Sequence, residues 1–180
     1  MIPFTVPVYE EGAEPESVKP IYARFSKTLG HMPNLYAAIG HSPNALTSYL
    51  QYTGEQAKGT FHAKDREGIF LIVSQLNGCE YCLAAHTASA LKAGWTSDET
   101  VALRKGKHAD AKWQVIYKVT KSIIDNKGEV GSALLDEFYA LGFKEAAIID
   151  LLTLVNVMSY TNYAYRLMQI PIDFPLAPEV

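Results

Sequence analysis

Cysteine is scarce in this chain of 180 residues: there are two, Cys79 and Cys82, both inside the stretch "QLNGCEYCLAAH". Excess charge of one sign is also missing. Sixteen Lys and Arg stand against nineteen Asp and Glu, for a net charge of −3, and no basic block stands out. Nucleic acid is therefore not expected as a partner. Long hydrophobic runs are absent too. The longest, "IFLIV" (Ile69–Val73) and "AAIIDLLTLV" interrupted by Asp150, are far too short to span a bilayer, so no membrane partner is expected. The N-terminal "MIPFTVPVYEEGAEPE" has no basic region followed by an apolar stretch, so no secretion signal is expected and the chain reads as cytoplasmic. In that reducing setting a close cysteine pair points to metal binding or catalysis rather than to a structural staple.

What is present reads as helix. Hydrophobic residues make up 48% and charged residues 19%, which suits a well-buried globular protein. An extended N-terminal arm (about 1–15) and a proline-bearing C-terminal tail (about 170–180) flank what is expected to be a single all-helical domain. "SVKPIYARFSKTLG" places Ile21, Phe25 and Leu29 on one face, with Gly30 as its stop. Ser42 and Pro43 read as an N-cap and first helical residue. "AKDREGIFLIVSQL" predicts a helix with a broad buried face, ended by Asn77-Gly78. The next helix begins near Cys79 and runs to Ala93. "TSDE", Thr96 to Glu99, fits a capping box opening a short helix to about Arg104. Three more follow, the last either one long helix or two joined by a kink. This pattern lacks the strand–helix alternation of a thioredoxin fold.

If Asn77-Gly78 joins two antiparallel helices, Cys79, Cys82 and His86 fall at i, i+3 and i+7 on one face of the second. Glu67 precedes Gly78 by 11 residues and His86 follows it by 8, an axial offset of roughly 4.5 Å at the helical rise. A carboxylate could thus meet the imidazole across the hairpin, directly or through one water. A helix start stabilises a thiolate, an imidazole can take its proton, and a carboxylate behind the imidazole orients it. Two cysteines at this spacing can then close a disulfide. The alternatives are plain packing, since buried cysteine is often an inert small hydrophobe, and zinc. His62, His108 and Glu67 are further zinc-ligand candidates, but no second Cys-x-x-Cys or His-x-x-x-His completes a closed set.

The string "REGIFLIVSQLNGCEYCLAAHTASALKAGW" resembles the alkyl hydroperoxidase D-like part of the carboxymuconolactone decarboxylase family. It carries the pattern Glu-x11-Cys-x-x-Cys-x3-His at Glu67, Cys79, Cys82 and His86. The match is centred on about 63–103. "MPNLYAAIGHSPNALTSYL" and the tail "IDFP" resemble peroxidase-related members. The resemblance implies an alkyl hydroperoxidase D-like helical domain and a homo-oligomer such as a trimer or hexamer. It implies a thiol peroxidase that uses neither metal nor organic cofactor. Cys82 would attack the hydroperoxide substrate, Glu67 and His86 would relay its proton, and Cys79 would resolve the sulfenic acid. A dithiol reductant, protein or lipoyl-type, would reopen the disulfide. Tyr81 stands where alkyl hydroperoxidase D has a histidine, and is a possible accessory residue or a packing one. The other readings are a decarboxylase-like lyase, with Arg66 and Arg104 as the arginines to consider, and a non-catalytic redox sensor. The last long helix can also be laid on the motif with Glu145 under Glu67, placing Val157, Tyr160 and Ala164 at the cysteine and histidine positions.

Overall fold

One helical hairpin organises the packing. The computed structural model describes residues 12–180, so most of the expected N-terminal arm lies outside the described residues. These residues form nine α-helices and no strand: α1 (Lys19–Leu29), α2 (Asn34–Ile39), α3 (Pro43–Glu55), α4 (Ala63–Leu76), α5 (Glu80–Lys92), α6 (Ser97–Arg104), α7 (Ala111–Asp125), α8 (Ser132–Ala140) and α9 (Glu145–Met168). The all-α expectation is met.

Local chemistry sets most of the boundaries. Gly30 ends α1 with a left-handed φ of 85°, a conformation glycine adopts without steric cost. The Ser42 hydroxyl accepts from the Ala45 N–H at 3.4 Å, and Pro43 follows at the first helical position. Thr96 and Glu99 close the expected capping box: the Thr96 N–H donates to Glu99 Oε2 at 2.8 Å, and the Glu99 N–H to Thr96 Oγ1 at 3.2 Å. The final helix is one continuous rod of 24 residues. It packs on both α4 and α5 without the break that divides those two, and buries Val157 while leaving Tyr160 exposed. The short helix α2 was not signalled by periodicity. Its six residues are too few to establish a period, and Leu35, Ala37, Ala38 and Ile39 are all buried.

Helix α4 occupies the centre and touches α5, α6, α7 and α9. The unbroken buried run Gly68–Ser74 explains this, because a helix that is apolar all round must be covered on every side. It reverses into α5 through a tight terminus. The Cys79 N–H donates to the Ser74 carbonyl at 2.9 Å and the Gly78 N–H to the Gln75 carbonyl at 3.2 Å, with Gly78 at φ 63°. These are the paired bonds of a Schellman motif. Helix α9 fastens that turn. Asn77 Nδ2 donates to Asn162 Oδ1 (2.9 Å), Asn162 Nδ2 to Ser74 Oγ (3.3 Å), and Arg166 Nη1 to the Asn77 carbonyl (3.0 Å).

Candidate active site

The hairpin brings together the two residues that its spacing predicts to meet. Glu67 on α4 and His86 on α5 approach to 2.8 Å, Oε2 to Nδ1, with each side chain 20% exposed. The Phe70 ring lies 5.0 Å from the imidazole and limits its rotation. With Nδ1 committed to the carboxylate, Nε2 is the nitrogen left for other proton chemistry.

Cys79 and Cys82 are joined as a disulfide with their Cα atoms 5.3 Å apart, inside the usual range for such a bond. Their surroundings differ. Cys79 is the N-cap of α5, and its sulfur accepts from the Cys82 N–H at 3.2 Å; it is fully buried. Cys82 lies one turn further along and borders a cavity of about 610 Å³, together with Glu67, Tyr81 and His86. Cys79 does not reach that cavity.

Tyr81, between the cysteines, is buried, and its hydroxyl accepts from the Leu35 N–H at 3.2 Å. Burial, and then the nearby Asp173 carboxylate, push the phenol far above its ordinary range, so it stays a neutral hydrogen-bonding group. The other sequence candidates fall elsewhere. Arg66 donates to the Phe61 carbonyl, and Arg104 to Gln75 and the Pro178 carbonyl. Neither they nor His62 and His108 line the cavity. Among the described residues no group of three or more His, Cys, Asp or Glu side chains is placed to hold a metal ion.

Sequence reasoning missed the rest of the cavity wall. Tyr36 and Tyr49, from α2 and α3, stand with ring centroids 5.7 Å apart, and His31, Asp173 and Phe174 add a rim. Burial raises both Tyr36 and Tyr49. The only signal for Tyr36, Tyr49, Asp173 and Phe174 was the likeness of "MPNLYAAIGHSPNALTSYL" and "IDFP" to family members, and His31 had none.

Residues 42–121, which hold Glu67, both cysteines and His86, match the carboxymuconolactone decarboxylase family. That match covers a little under half of the chain, and it is to this family that the segment is similar. Solved structures agree with that fold. An alkylhydroperoxidase AhpD core, a peroxidase-related protein from Ralstonia eutropha JMP134, superposes with a TM-score of 0.85 at 18% identity, covering 96% of this chain and 94% of that one. A peroxidase-related protein from Silicibacter sp. TM1040 gives 0.80 at 20% identity, over 95% and 92%. The debrominase Bmp8, as a cysteine-to-alanine variant in complex with 2,3,4-tribromopyrrole, gives 0.79 at 15% identity, over 96% and 93%. No curated protein sequence matches the chain. At these identities the likeness establishes the fold, and the chemistry rests on this chain's own residues.

Proposed function

We propose that the protein is a thiol-dependent peroxidase. The observation that carries this reading is the Glu67–His86 pair at 2.8 Å beside a disulfide-forming pair of which Cys82 alone borders the cavity. His86, oriented by Glu67, takes the Cys82 proton. The thiolate attacks the hydroperoxide; an S–O bond forms, the O–O bond breaks, and the alcohol leaves with a proton returned through His86. The sulfur is oxidised by two electrons to sulfenic acid. Cys79 then displaces water from it, and the disulfide forms. An external dithiol, protein or lipoyl-type, attacks Cys82 to reverse this, and Cys79 departs as a thiolate. The Cys82 N–H aimed at the Cys79 sulfur supports that leaving role, because a helix N-terminus favours an anion. Helix α9 leaves Tyr163 and Leu167 exposed at 59% and 66%, which supports the expectation of a homo-oligomer, testable by sedimentation.

The deciding experiment treats reduced protein with one equivalent of hydroperoxide and counts free thiols. Loss of both thiols with matching peroxide consumption is expected, and persistence of both refutes the reading. Glu67→Gln and His86→Gln should each slow the oxidation by about 10²- to 10⁴-fold, the usual contribution of a positioned acid–base group.

The aromatic wall around Cys82 favours one second reading, reductive debromination of an aromatic ring. Its balance is one aryl bromide plus two thiols giving one arene, one disulfide, bromide and a proton. Bromide release from 2,3,4-tribromopyrrole by the reduced protein tests it. A lyase reading draws no such support, because Arg66 and Arg104 are hydrogen-bonded away from the cavity. Cys79→Ser combined with Cys82→Ser would leave a lyase active and a dithiol enzyme inactive.

A further inference from the structure

Beyond α9 the chain turns at Gln169, with φ 49°, and runs without helix past the cavity, which Asp173, Phe174 and Pro175 border. Asp173 fastens it. Its Oδ2 accepts from the Asn34 N–H at 2.9 Å, at the start of α2, and lies 3.2 Å from His31 Nε2. Asn34 Nδ2 in turn donates to the Pro171 carbonyl at 3.2 Å. Next in sequence, Phe174 stands edge-on to Tyr81, with centroids 5.7 Å apart and planes at 86°, and 5.8 Å from the His31 ring. Asp173, Phe174 and Cys82 all border the same cavity.

We propose that segment 170–175 is a specificity strap, in which Phe174 selects hydroperoxides carrying a flat aromatic ring over hydrogen peroxide, and Asp173 is the buckle that holds it. The inference rests on the peroxidase reading given above and names the substrate class of that site. Its basis is a mismatch of scale. A cavity of about 610 Å³ far exceeds the roughly 30 Å³ share of a water-sized molecule. Six aromatic side chains, Phe25, Tyr36, Tyr49, Phe70, Tyr81 and Phe174, border it. A small, strongly hydrated peroxide gains nothing from such walls. A ring gains burial against each of them, and an edge-to-face or offset contact adds about two- to tenfold in affinity per pair. Phe174 is the one of the six that comes from the tail, and Tyr81, its edge-on partner, precedes the attacking thiol by one residue. A ring seated in the cavity against the Tyr81–Phe174 pair would lie in the same space that Cys82 borders. Asp173 and Phe174 are positioning residues on this account; neither touches the reacting atoms.

The test compares kcat/KM for cumene hydroperoxide with that for hydrogen peroxide, using dithiothreitol as reductant. The wild-type ratio is expected to favour cumene hydroperoxide by at least about tenfold, the gain from one to two ring contacts. Phe174→Ala should lower the ratio about tenfold through a raised KM for cumene hydroperoxide. Phe174→Leu, which keeps bulk without a ring, should fall between, and Phe174→Tyr should retain the preference. Asp173→Asn should lower the ratio in the same direction. A ratio unchanged by Phe174→Ala and Phe174→Leu overturns the strap and leaves the peroxidase reading standing. A wild-type protein that consumes neither peroxide overturns both.

Discussion

The same substitution, glycine to alanine, should have opposite effects at two helical positions, 68 and 54. Gly68 follows Glu67 in α4 and is buried. A Cβ there would meet Trp113 Cη2 at 2.9 Å, Trp113 Cζ3 at 3.0 Å and Trp95 Cζ2 at 3.3 Å. Neither indole is free to retreat. The rings pack against each other, edge to face, at 5.1 Å, and Trp95 Nε1 donates to the Lys64 carbonyl at 2.8 Å. Overpacking of this kind costs about 1–3 kcal/mol, and losing the indole hydrogen bond would add about 1 kcal/mol. Against this, alanine gains up to about 1 kcal/mol in helix propensity. The net expectation for Gly68→Ala is a destabilisation of about 1–3 kcal/mol, or a fall of roughly 2–12 °C in Tm. Gly54 lies in the exposed last turn of α3, and a Cβ there meets nothing within 4 Å. Gly54→Ala should stabilise by a few tenths to about 1 kcal/mol. Urea titration followed by tryptophan fluorescence measures both. A Gly68→Ala protein as stable as Gly54→Ala would refute the claim that the two indoles are locked against α4.

Three further outcomes follow from the described contacts. Burial raises Tyr36, Tyr49 and Tyr81 above the ordinary phenol range. The folded state thus holds protons that the unfolded chain releases, so stability should be complete below about pH 10 and decline above it. Absorbance titration should show these phenols ionising only with unfolding, and a uniform titration near the ordinary value would contradict that. Glu99 is held below the usual carboxylate range by bonds from the Thr96 N–H and hydroxyl. Its stabilising effect should be present above that range and fade as pH falls through the depressed value, and Thr96→Ala should flatten this acid dependence in Tm measurements. Arg104→Met removes bonds to Gln75 at 2.9 Å and to the Pro178 carbonyl at 2.6 Å, at a cost of about 1.5–3 kcal/mol. The urea midpoint should fall and the last residues of the tail should become sensitive to carboxypeptidase; a midpoint equal to wild type would count against the bond's role.

The pairing of Glu67 with His86 was legible because it is local in sequence. One turn fixes the register between α4 and α5, so counting residues from Gly78 is enough to pair Glu67 with His86. The capping box of α6, the Ser42 cap and the Gly30 stop were equally readable, each depending on a side chain and its own neighbouring backbone. The cavity around Cys82 was not. Its walls come from α1, α2, α3, α9 and the tail, and their meeting depends on packing between segments up to 139 positions apart, as with Asn34 and Asp173. No periodicity encodes such a distance. Helix α2 escaped for a related reason, since its six residues are held by burial rather than by a repeating pattern. The spacing argument also left open which sulfur faces the cavity. The fold separates them, placing Cys79 at the cap and Cys82 on the cavity wall.

The burial of Cys79 has a kinetic consequence for the proposed dithiol chemistry. In the proposed cycle oxidant and reductant both react at Cys82, so the two visits cannot overlap. Turnover should alternate between two stable enzyme forms, giving parallel lines in double-reciprocal plots at a series of fixed reductant concentrations. A bulky peroxide in excess should then compete with the reductant for the oxidised form, making its own abundance a brake on the cycle.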